Sequence, residues 1–481
     1  MPPLASVRLL LERSVPRGGW LIGAVLALAA FNLAFRLGNE MVQVWDESLF
    51  AITAGEMVDS GNWIGTTFLG SLDYYNSKPP LQVWLVALAF KAFGPGLVTL
   101  RLPAAIAAWL TVAVLMWWAM RAFGRAIGIV AGLVLATCYG FLYVHSGRSG
   151  NSDSLLTLLV LLTVVTLWAS RDHPWRRVWL GVIVGLVFLV KGMGILMPSL
   201  IIAGTELSGR WRGRARGLPL LSAAGVFVLV VTPWVVARWR LDGWLFFDAM
   251  FFHDFADRVT MVLEGHEGGP FYYLYFLQKH QYDWLSAAAI ALACMPARWA
   301  RFRALVAGSD RFLVVLLASW FAGNFLLPSA VATKLGWYLN HFYPLFALGV
   351  AWVLVEAWQA TAALPRRTML VAASVVVALG VAEGKLAWHS YRLLDVDRSA
   401  QSLILSHGTE IASRSVYAQS WPHADRFVVR TVGGRCLTAP GVDEFLASGH
   451  ADDLWLGAPG ADARLVPMAT TGRQTLYRRA R

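Results

Sequence analysis

Apolar stretches long enough to cross a lipid bilayer recur along almost the whole chain. They fall at residues 19–37, 102–120, 126–145, 153–169, 178–190, 192–206, 218–238, 283–297, 311–328, 337–357 and 368–388. A hydrocarbon core of about 30 Å takes about 20 helical residues, so the stretches predict a polytopic α-helical membrane protein with about eleven spans. Hydrophobic residues make up 57% of the chain and charged residues only 15%, which requires lipid around much of its surface.

Three segments need separate interpretation. The first stretch follows three arginines within residues 8–17, as a signal peptide would, but its length and the later spans favour an uncleaved helix. The two stretches between residues 178 and 206 are broken at Lys191, so they are either two tilted spans or a hairpin with irregular backbone. The run 81–93 is short and interrupted by a lysine, and it predicts a helix along the membrane surface.

Arginine clusters between the apolar stretches predict the orientation. They lie at 121–125, 171–177, 210–216, 298–303 and 366–367. Since basic connections stay in the cytoplasm, a cytoplasmic N-terminus and eleven spans place all these clusters inside, and counting 81–93 as a span breaks the agreement. The same alternation places the loops 38–101 and 239–282 outside.

The chain divides by composition into two domains. Residues 1–389 predict the transmembrane domain, and 390–481, of ordinary composition with alternating stretches such as 426–432, predict a small extracytoplasmic α/β domain. The net charge of +12 does not indicate nucleic acid, because the basic residues lie between apolar runs, where membrane lipid headgroups are the expected counter-charge. Two of the three cysteines lie in apolar stretches, so neither a disulfide nor a metal-binding cysteine pair is expected.

The first outer loop holds the densest group of chemically useful residues. Asp46 and Glu47 directly follow the first span. They could simply stabilise the positive N-terminus of a surface helix at 46–60. A carboxylate at the membrane interface is also suited to accept a proton from a hydroxyl group. Asp153, at the start of a later span, has the same two interpretations, since it could be only a helix cap.

Lysine is rare in this chain, and its positions are informative. There are six lysines against 35 arginines, and Lys78, Lys191 and Lys334 lie at outer ends of apolar stretches beside proline or glycine. Interfacial lysines often only extend toward water. Together, on the face opposite the basic loops, the three predict a site for a phosphate or pyrophosphate. The outer loop around Arg258 is rich in glycine, histidine and acids, and His266 with Glu267 could hold a divalent metal.

These residues resemble a known class of enzymes. Trp45-Asp46-Glu47 after the first span, Lys78-Pro-Pro-Leu-x-x-Trp-Leu and Arg101-Leu-Pro are similar to the membrane glycosyltransferases of the GT-C class. The resemblance is to the branch containing lipid A aminoarabinose transferase and bacterial relatives of protein O-mannosyltransferases. It runs from about residue 20 to 350 and is most specific in the first outer loop.

The resemblance implies an inverting transferase that moves a sugar from a polyprenyl-phosphate donor to a lipid, glycan or protein acceptor. It makes Asp46 the catalytic carboxylate, and Lys78, Arg258 and Tyr338 the donor-phosphate ligands, with Lys191 and Lys334 as helpers. The aminoarabinose branch carries a metal-binding glutamate just before the lysine, whereas this chain has Ser77. The alternative function is a transporter or flippase, which predicts ionisable residues within the spans. The sequence places its polar residues mostly on one side instead.

Overall fold

Helices make up most of the structure, a computed structural model that describes residues 19–207, 217–297, 300, 310–392, 400–448 and 450–480. The helices before residue 245 are α1 (Gly19–Ala34), α2 (Asp46–Ser60), α3 (Leu81–Phe93), α4 (Leu97–Phe123), α5 (Arg125–Ala136), α6 (Tyr139–Tyr143), α7 (Asp153–Ala169), α8 (Val178–Lys191), α9 (Leu196–Leu207) and α10 (Gly217–Asp242). Those after it are α11 (Leu245–Asp248), α12 (Arg258–Thr260), α13 (Tyr272–Cys294), α14 (Arg311–Phe321), α15 (Leu327–Ala330), α16 (Tyr343–Thr361), α17 (Pro365–Arg392), α18 (Ala400–Ser406), α19 (Gly408–Ile411), α20 (His423–Thr431) and α21 (Val442–Ser448). Short 3₁₀ or π segments lie at Pro174–Arg177, Gly192–Ile195, Ala249–Asp257, Ala322–Leu326 and Gly336–Phe342.

Six described segments are long and apolar enough to cross a membrane. They are Leu97–Ala122, Pro174–Leu207, Gly217–Asp242, Arg311–Ala330, Gly336–Thr361 and Pro365–Tyr391. Helices α1, α3, α5 and α7 are apolar but shorter. The chain therefore folds as a helical membrane protein, while the count of eleven spans stays a prediction. Two of the five arginine clusters, 210–216 and 298–303, lie largely or wholly outside the described residues.

The helix bundle encloses one continuous apolar core. Helices α1, α4, α5, α7, α13 and α16 contribute to it, and its largest fully buried side chains include Trp118, Trp284 and Trp320. Burying a large apolar side chain contributes about 1.5–3 kcal/mol, so these rings hold the bundle together where it does not face lipid. Helix α13 begins at Tyr272, earlier than the predicted apolar stretch, because its first half is aromatic and polar.

The predicted break near Lys191 is a local change of helix type. Helix α8 ends at Lys191, and a 3₁₀ turn over Gly192–Ile195 leads into α9. Gly192 has a φ of 33°, and a Cβ atom there would lie 2.7 Å from the sulfur of Met250, so glycine is required. The break leaves Lys191 at the end of a helix, with its side chain directed into the space between helices.

A small sheet domain follows the last long helix. Its strands β3 (Ser415–Ala418), β4 (Arg435–Thr438), β5 (Leu454–Gly457), β6 (Leu465–Thr471) and β7 (Gln474–Arg479) lie in the order β4-β3-β5-β7-β6. The β3 pairings with β4 and β5 are parallel, whereas β7 pairs antiparallel with β5 and β6. The alternating stretch 426–432 lies mostly in helix α20, not in a strand.

The sheet domain packs on the loop 38–101. Apolar residues of α2, α3, α18, α20 and the sheet form one shared core, in which the ring of Phe427 stacks on Phe90 at 5.7 Å. Between α2 and α3 lies a hairpin of β1 (Thr67–Phe68) and β2 (Ser71–Leu72). The amide of Gln401 also bonds to both backbone groups of Val42. The loop that carries Asp46 is thus held from both sides, by the bundle and by the sheet domain.

Candidate active site

Asp46 begins helix α2 and faces an opening in the bundle. The residue before it, Trp45, has a φ of 79°, a backbone conformation that costs a non-glycine residue about 1–3 kcal/mol and is typical of functional sites. The Asp46 carboxylate accepts a hydrogen bond from Lys78 Nζ at 3.0 Å, and its side chain stays 26% exposed. Burial alone would raise the pKa of Asp46, but Lys78, His145 and Lys191 outweigh it and hold the pKa below its ordinary value. Asp46 is therefore an ionised carboxylate that substrate can reach.

Glu47, its neighbour, is fully buried and has different partners. Its carboxylate accepts from Arg101 Nε at 2.8 Å, from the Gly150 amide at 2.8 Å and from the Gln43 amide at 2.7 Å. Arg101 also donates to the carbonyl oxygens of Leu37 and Glu40. These contacts fix the loop between α1 and α2. They leave the Glu47 carboxylate fully buried, with Arg101 and two backbone amides as its partners.

Asp153 lies on the other side of His145 from Asp46, and its side chain is only 1% exposed. Its carboxylate accepts from Lys191 Nζ at 3.1 Å and bonds to His145 Nδ1 at 2.9 Å. His341 Nε2 is 3.8 Å away. The N-cap interpretation is not supported, because no side chain caps α7 by a hydrogen bond. Asp153 instead connects Lys191 to His145.

A cavity of about 270 Å³ opens beside these residues. Lys78, Lys191, Arg258 and Tyr338 line it together with apolar side chains of the α8–α9 break, the 249–257 segment and α15. Lys191 Nζ lies 5.5 Å from the centre of the Tyr338 ring. The cavity thus combines three cations with an apolar wall, which suits an anionic group attached to a lipid chain.

Arg258 reaches the site from the long segment between α10 and α13. Its Nη2 atom is 3.6 Å from Glu264 Oε1, and the same carboxylate oxygen accepts a hydrogen bond from Tyr75 at 3.0 Å. Tyr75 in turn lies beside Trp45, with 6.2 Å between the ring centres. The loop is therefore fastened across the cavity to the segment around Asp46.

Lys334 has contacts unlike those of the other two predicted lysines. Its ammonium is directed at the carbonyl oxygens of Pro328, Ser329 and Val331, at 2.6 Å from the second. It is not among the residues that line the cavity. These bonds satisfy the end of the turn after α15, so the structure gives Lys334 a role in holding that turn.

The residues present do not fit a metal of the aminoarabinose type. Ser77, which replaces the expected glutamate, is buried and offers no carboxylate. His266 Nε2 lies 3.8 Å from Glu264, and both side chains are more than a third exposed. Among the described residues, no group of three histidine, cysteine, aspartate or glutamate side chains could hold a metal ion.

Sequence reasoning missed two contributors to this site. His145 bridges the two carboxylates, and its ring stacks on Trp337 at 4.3 Å with only 11° between the planes. The only signal in the sequence was their position, His145 in a turn assigned to the outer face and Trp337 at the start of an apolar stretch. Nothing in the spacing indicates that His145 meets Asp46.

Comparison with known proteins gives matches in both sequence and fold. Residues 77–236 match the family model of dolichyl-phosphate-mannose-protein mannosyltransferases. The chain is 33% identical over 252 residues to the undecaprenyl phosphate-alpha-4-amino-4-deoxy-L-arabinose arabinosyl transferase of Pseudomonas savastanoi pv. phaseolicola, covering 50% of this chain and 45% of that protein. It is 31% identical over 284 residues to the enzyme of that name from Pseudomonas paraeruginosa, covering 56% and 48%. The chain thus spans about half the length of these curated relatives.

Solved structures extend the similarity to the whole fold. The crystal structure of ArnT from Cupriavidus metallidurans bound to undecaprenyl phosphate superimposes with a TM-score of 0.72 at 18% identity, covering 96% of this chain and 98% of that one. The Archaeoglobus fulgidus oligosaccharyltransferase in the apo form gives a TM-score of 0.53 at 14% identity, covering 87% and 64%. These matches confirm the predicted resemblance: the chain has the fold of the GT-C class membrane glycosyltransferases and resembles their aminoarabinose and mannosyl transferase members in sequence.

Proposed function

We propose that the protein is an inverting glycosyltransferase that takes a sugar from a polyprenyl-phosphate donor. The observation that carries this is the cavity in which Lys78, Lys191 and Arg258 share an apolar wall, with Asp46 bonded to Lys78 at its edge. The relatives named for undecaprenyl-phosphate-linked aminoarabinose support a donor of that lipid class. A sugar on such a lipid lies at the membrane surface, with its chain in the bilayer.

The geometry suggests how the transfer is catalysed. As the bond from the anomeric carbon to the phosphate oxygen breaks, negative charge grows on the phosphate. Fixed cations that bind this charge more strongly in the transition state lower the barrier, which is the role we assign to Lys78 and Arg258, assisted by Lys191 and Tyr338. Asp46, ionised and accessible, accepts the proton of the acceptor hydroxyl. Attack from the face opposite the phosphate inverts the configuration of the sugar.

The setting follows from the same proposal. Eleven spans with the arginine clusters inside place Asp46 and the sheet domain at the outer face of the bacterial cytoplasmic membrane, where residues 1–389 form the transferase domain and 390–481 the soluble one. The acceptor is a lipid, glycan or protein of the cell envelope. We assign no step to a metal, because the described residues include no group of three ligands that could hold one and three cations line the cavity for the phosphate.

The test is donor cleavage by purified protein. The full chain in lipid nanodiscs is incubated with undecaprenyl phosphate carrying 4-amino-4-deoxy-L-arabinose, another pentose or a hexose, together with envelope extract as acceptor. The proposal is supported if undecaprenyl phosphate is released and the sugar is recovered on an acceptor with its anomeric configuration inverted. Movement of intact donor across the bilayer without cleavage would instead establish the flippase.

A further inference from the structure

His145 lies between the two carboxylates of the site with one ring nitrogen toward each. Its Nδ1 is 2.9 Å from Asp153 Oδ2, and its Nε2 is 3.9 Å from Asp46 Oδ2. The ring stacks on Trp337, so it cannot tilt without losing that contact. Because Asp153 is ionised against Lys191 and can only accept, His145 Nδ1 donates to it, and the neutral tautomer that this bond selects has its Nε2 lone pair toward Asp46.

The backbone at His145 has an unusual conformation for a histidine. Its φ of 57° lies in the left-handed region, which disfavours residues with a Cβ atom. Backbone strain of this kind persists where surrounding contacts hold the residue in place. At His145 these contacts are the stacking on Trp337 and the hydrogen bond to Asp153. The distance of 3.9 Å to Asp46 is longer than a hydrogen bond, as is common before substrate draws catalytic groups together.

We propose that His145 positions Asp46 and takes from it the proton that Asp46 removes from the acceptor hydroxyl. This inference rests on the proposed glycosyl transfer. The acceptor oxygen bonds to the anomeric carbon while the carbon–phosphate-oxygen bond breaks, and that electron pair leaves with the phosphate. The proton moves from the acceptor oxygen to Asp46 Oδ2, then to His145 Nε2, and finally to water at the ring edge, where the side chain is 12% exposed.

The neighbouring charges favour this route over the alternatives. Lys78 pairs with Asp46, and Lys191 pairs with Asp153, so both carboxylates are held ionised. His341 lies on the far side of Asp153, at 3.8 Å, and is itself fully buried. A proton arriving at Asp46 therefore meets one basic neighbour, and the resulting imidazolium lies between two negative groups that stabilise it.

Two variants of His145 separate proton transfer from packing. His145→Phe keeps a flat ring against Trp337 but removes both nitrogens. His145→Gly relieves the left-handed backbone and leaves a space that added imidazole can enter. The matched control is His280→Phe, which changes a histidine that stacks on Tyr139 outside the site. All variants are assayed as full-length protein in nanodiscs, with whichever donor the wild type cleaves as substrate. Thermal unfolding checks that each variant is folded.

The proposal expects a specific pattern. His145→Phe lowers kcat about 10²-fold with little change in donor KM, since general acid–base partners contribute 10²–10⁴-fold. Imidazole restores turnover in His145→Gly, and His280→Phe matches the wild type.

Other results overturn it, and they can be told apart. If the wild type cleaves donor and folded His145→Phe keeps more than half of its kcat, the glycosyl transfer stands and the role of His145 is wrong. If imidazole fails to restore His145→Gly while His145→Phe is slow, the effect is one of packing and the proton route is wrong. If the wild type cleaves no donor, the proposed function fails, and the inference falls with it.

Discussion

Two regions of the bundle each hold a buried aspartate paired with a lysine, and they differ in access. Asp153 with Lys191 and Asp283 with Lys385 have nearly the same exposure, at most 1% for each carboxylate and 19% for each ammonium. Lys191 lines the cavity beside Asp46, whereas neither Asp283 nor Lys385 does. Lys385 instead donates to the carbonyl oxygen of His280 and lies over the Tyr282 ring.

The comparison shows that a buried ion pair does not identify a site. Such a pair often contributes little net stability, because desolvation offsets the attraction, yet removing one partner is costly. What distinguishes the first pair is its connection to an accessible carboxylate through His145. The second lies between α13 and α17, where an ionisable pair would also be expected in a transporter, but its groups are bonded to each other, and Lys385 of α17 also donates to the α13 backbone. We therefore expect the first region to control turnover and the second to control stability.

The largest expected effect is on turnover, from Asp46→Asn. The amide has the same shape but cannot accept a proton, so kcat should fall about 10³-fold, within the range for a general base. Donor cleavage by purified protein measures it. Asp59→Asn, which changes an exposed aspartate on the same helix, is the control and should leave kcat unchanged. Turnover above a tenth of wild type in Asp46→Asn would remove Asp46 from the mechanism.

The next effect should appear in stability alone, from Asp283→Asn. It leaves Lys385 charged and unpaired between two helices, which should cost about 3–5 kcal/mol in the free energy of unfolding. Thermal unfolding in detergent measures the loss, and kcat per folded molecule should stay at the wild-type value. The double variant Asp283→Leu with Lys385→Met should recover most of the stability, because it removes both charges. A fall in kcat without a fall in stability would give this pair the catalytic role that we assign to the first.

Use of the donor should respond to Arg258→Gln. A hydrogen bond to a charged group is worth about 1.5–3 kcal/mol, so kcat/KM for the donor should fall roughly 10- to 100-fold, mostly through kcat, because the bond strengthens as charge grows on the phosphate. Steady-state kinetics with varied donor measures it, and Arg464→Gln, in an exposed arginine of the sheet domain, is the control. An unchanged kcat/KM would remove Arg258 from the mechanism and leave it only the contact with Glu264.

The pH profile tests whether Lys78 acts on Asp46. Burial would raise the pKa of Asp46, and Lys78 is the largest of the groups that lower it. A general base works when ionised, so activity is lost as pH falls through its pKa, and the wild-type acid limb should lie below the usual carboxylate range. Lys78→Gln raises that pKa, which moves the acid limb of kcat/KM to higher pH. If the acid limb stays at the same pH in Lys78→Gln, Lys78 does not set the pKa of the catalytic carboxylate.

The sequence predicts the helices that carry these two ion pairs better than it predicts the contacts between the helices. Helix α7 begins at Asp153 and α3 spans Leu81–Phe93, both as the apolar stretches indicate, because hydrophobic length is a local property. The first half of α13 was missed, since its aromatic and polar residues give no apolar run. The pairing of His145 with Asp46 depends on how α2, α6 and α7 pack. Residue type and spacing do not determine that packing, so they indicate neither that Glu47 is fully buried, nor that Lys334 donates to carbonyl groups of α15, nor that His145 lies between two carboxylates.

The smallest effect should come from Arg430→Ala, where the sheet domain meets helix α2. Arg430 forms two bonds to Asp59 at 2.7 and 2.8 Å, but Asp59 is 61% exposed, and exposed pairs contribute about 0–1 kcal/mol. The loss of stability should therefore be below about 1 kcal/mol, with unchanged kcat. Phe427→Ala, in the same interface but 1% exposed, should cost about 3–5 kcal/mol. Thermal unfolding of the two variants compares them directly. If Arg430→Ala lowers kcat while stability is unchanged, the pair of Arg430 and Asp59 helps to position Asp46. The apolar core shared by α2 and the sheet domain would then not be sufficient to fix the position of Asp46.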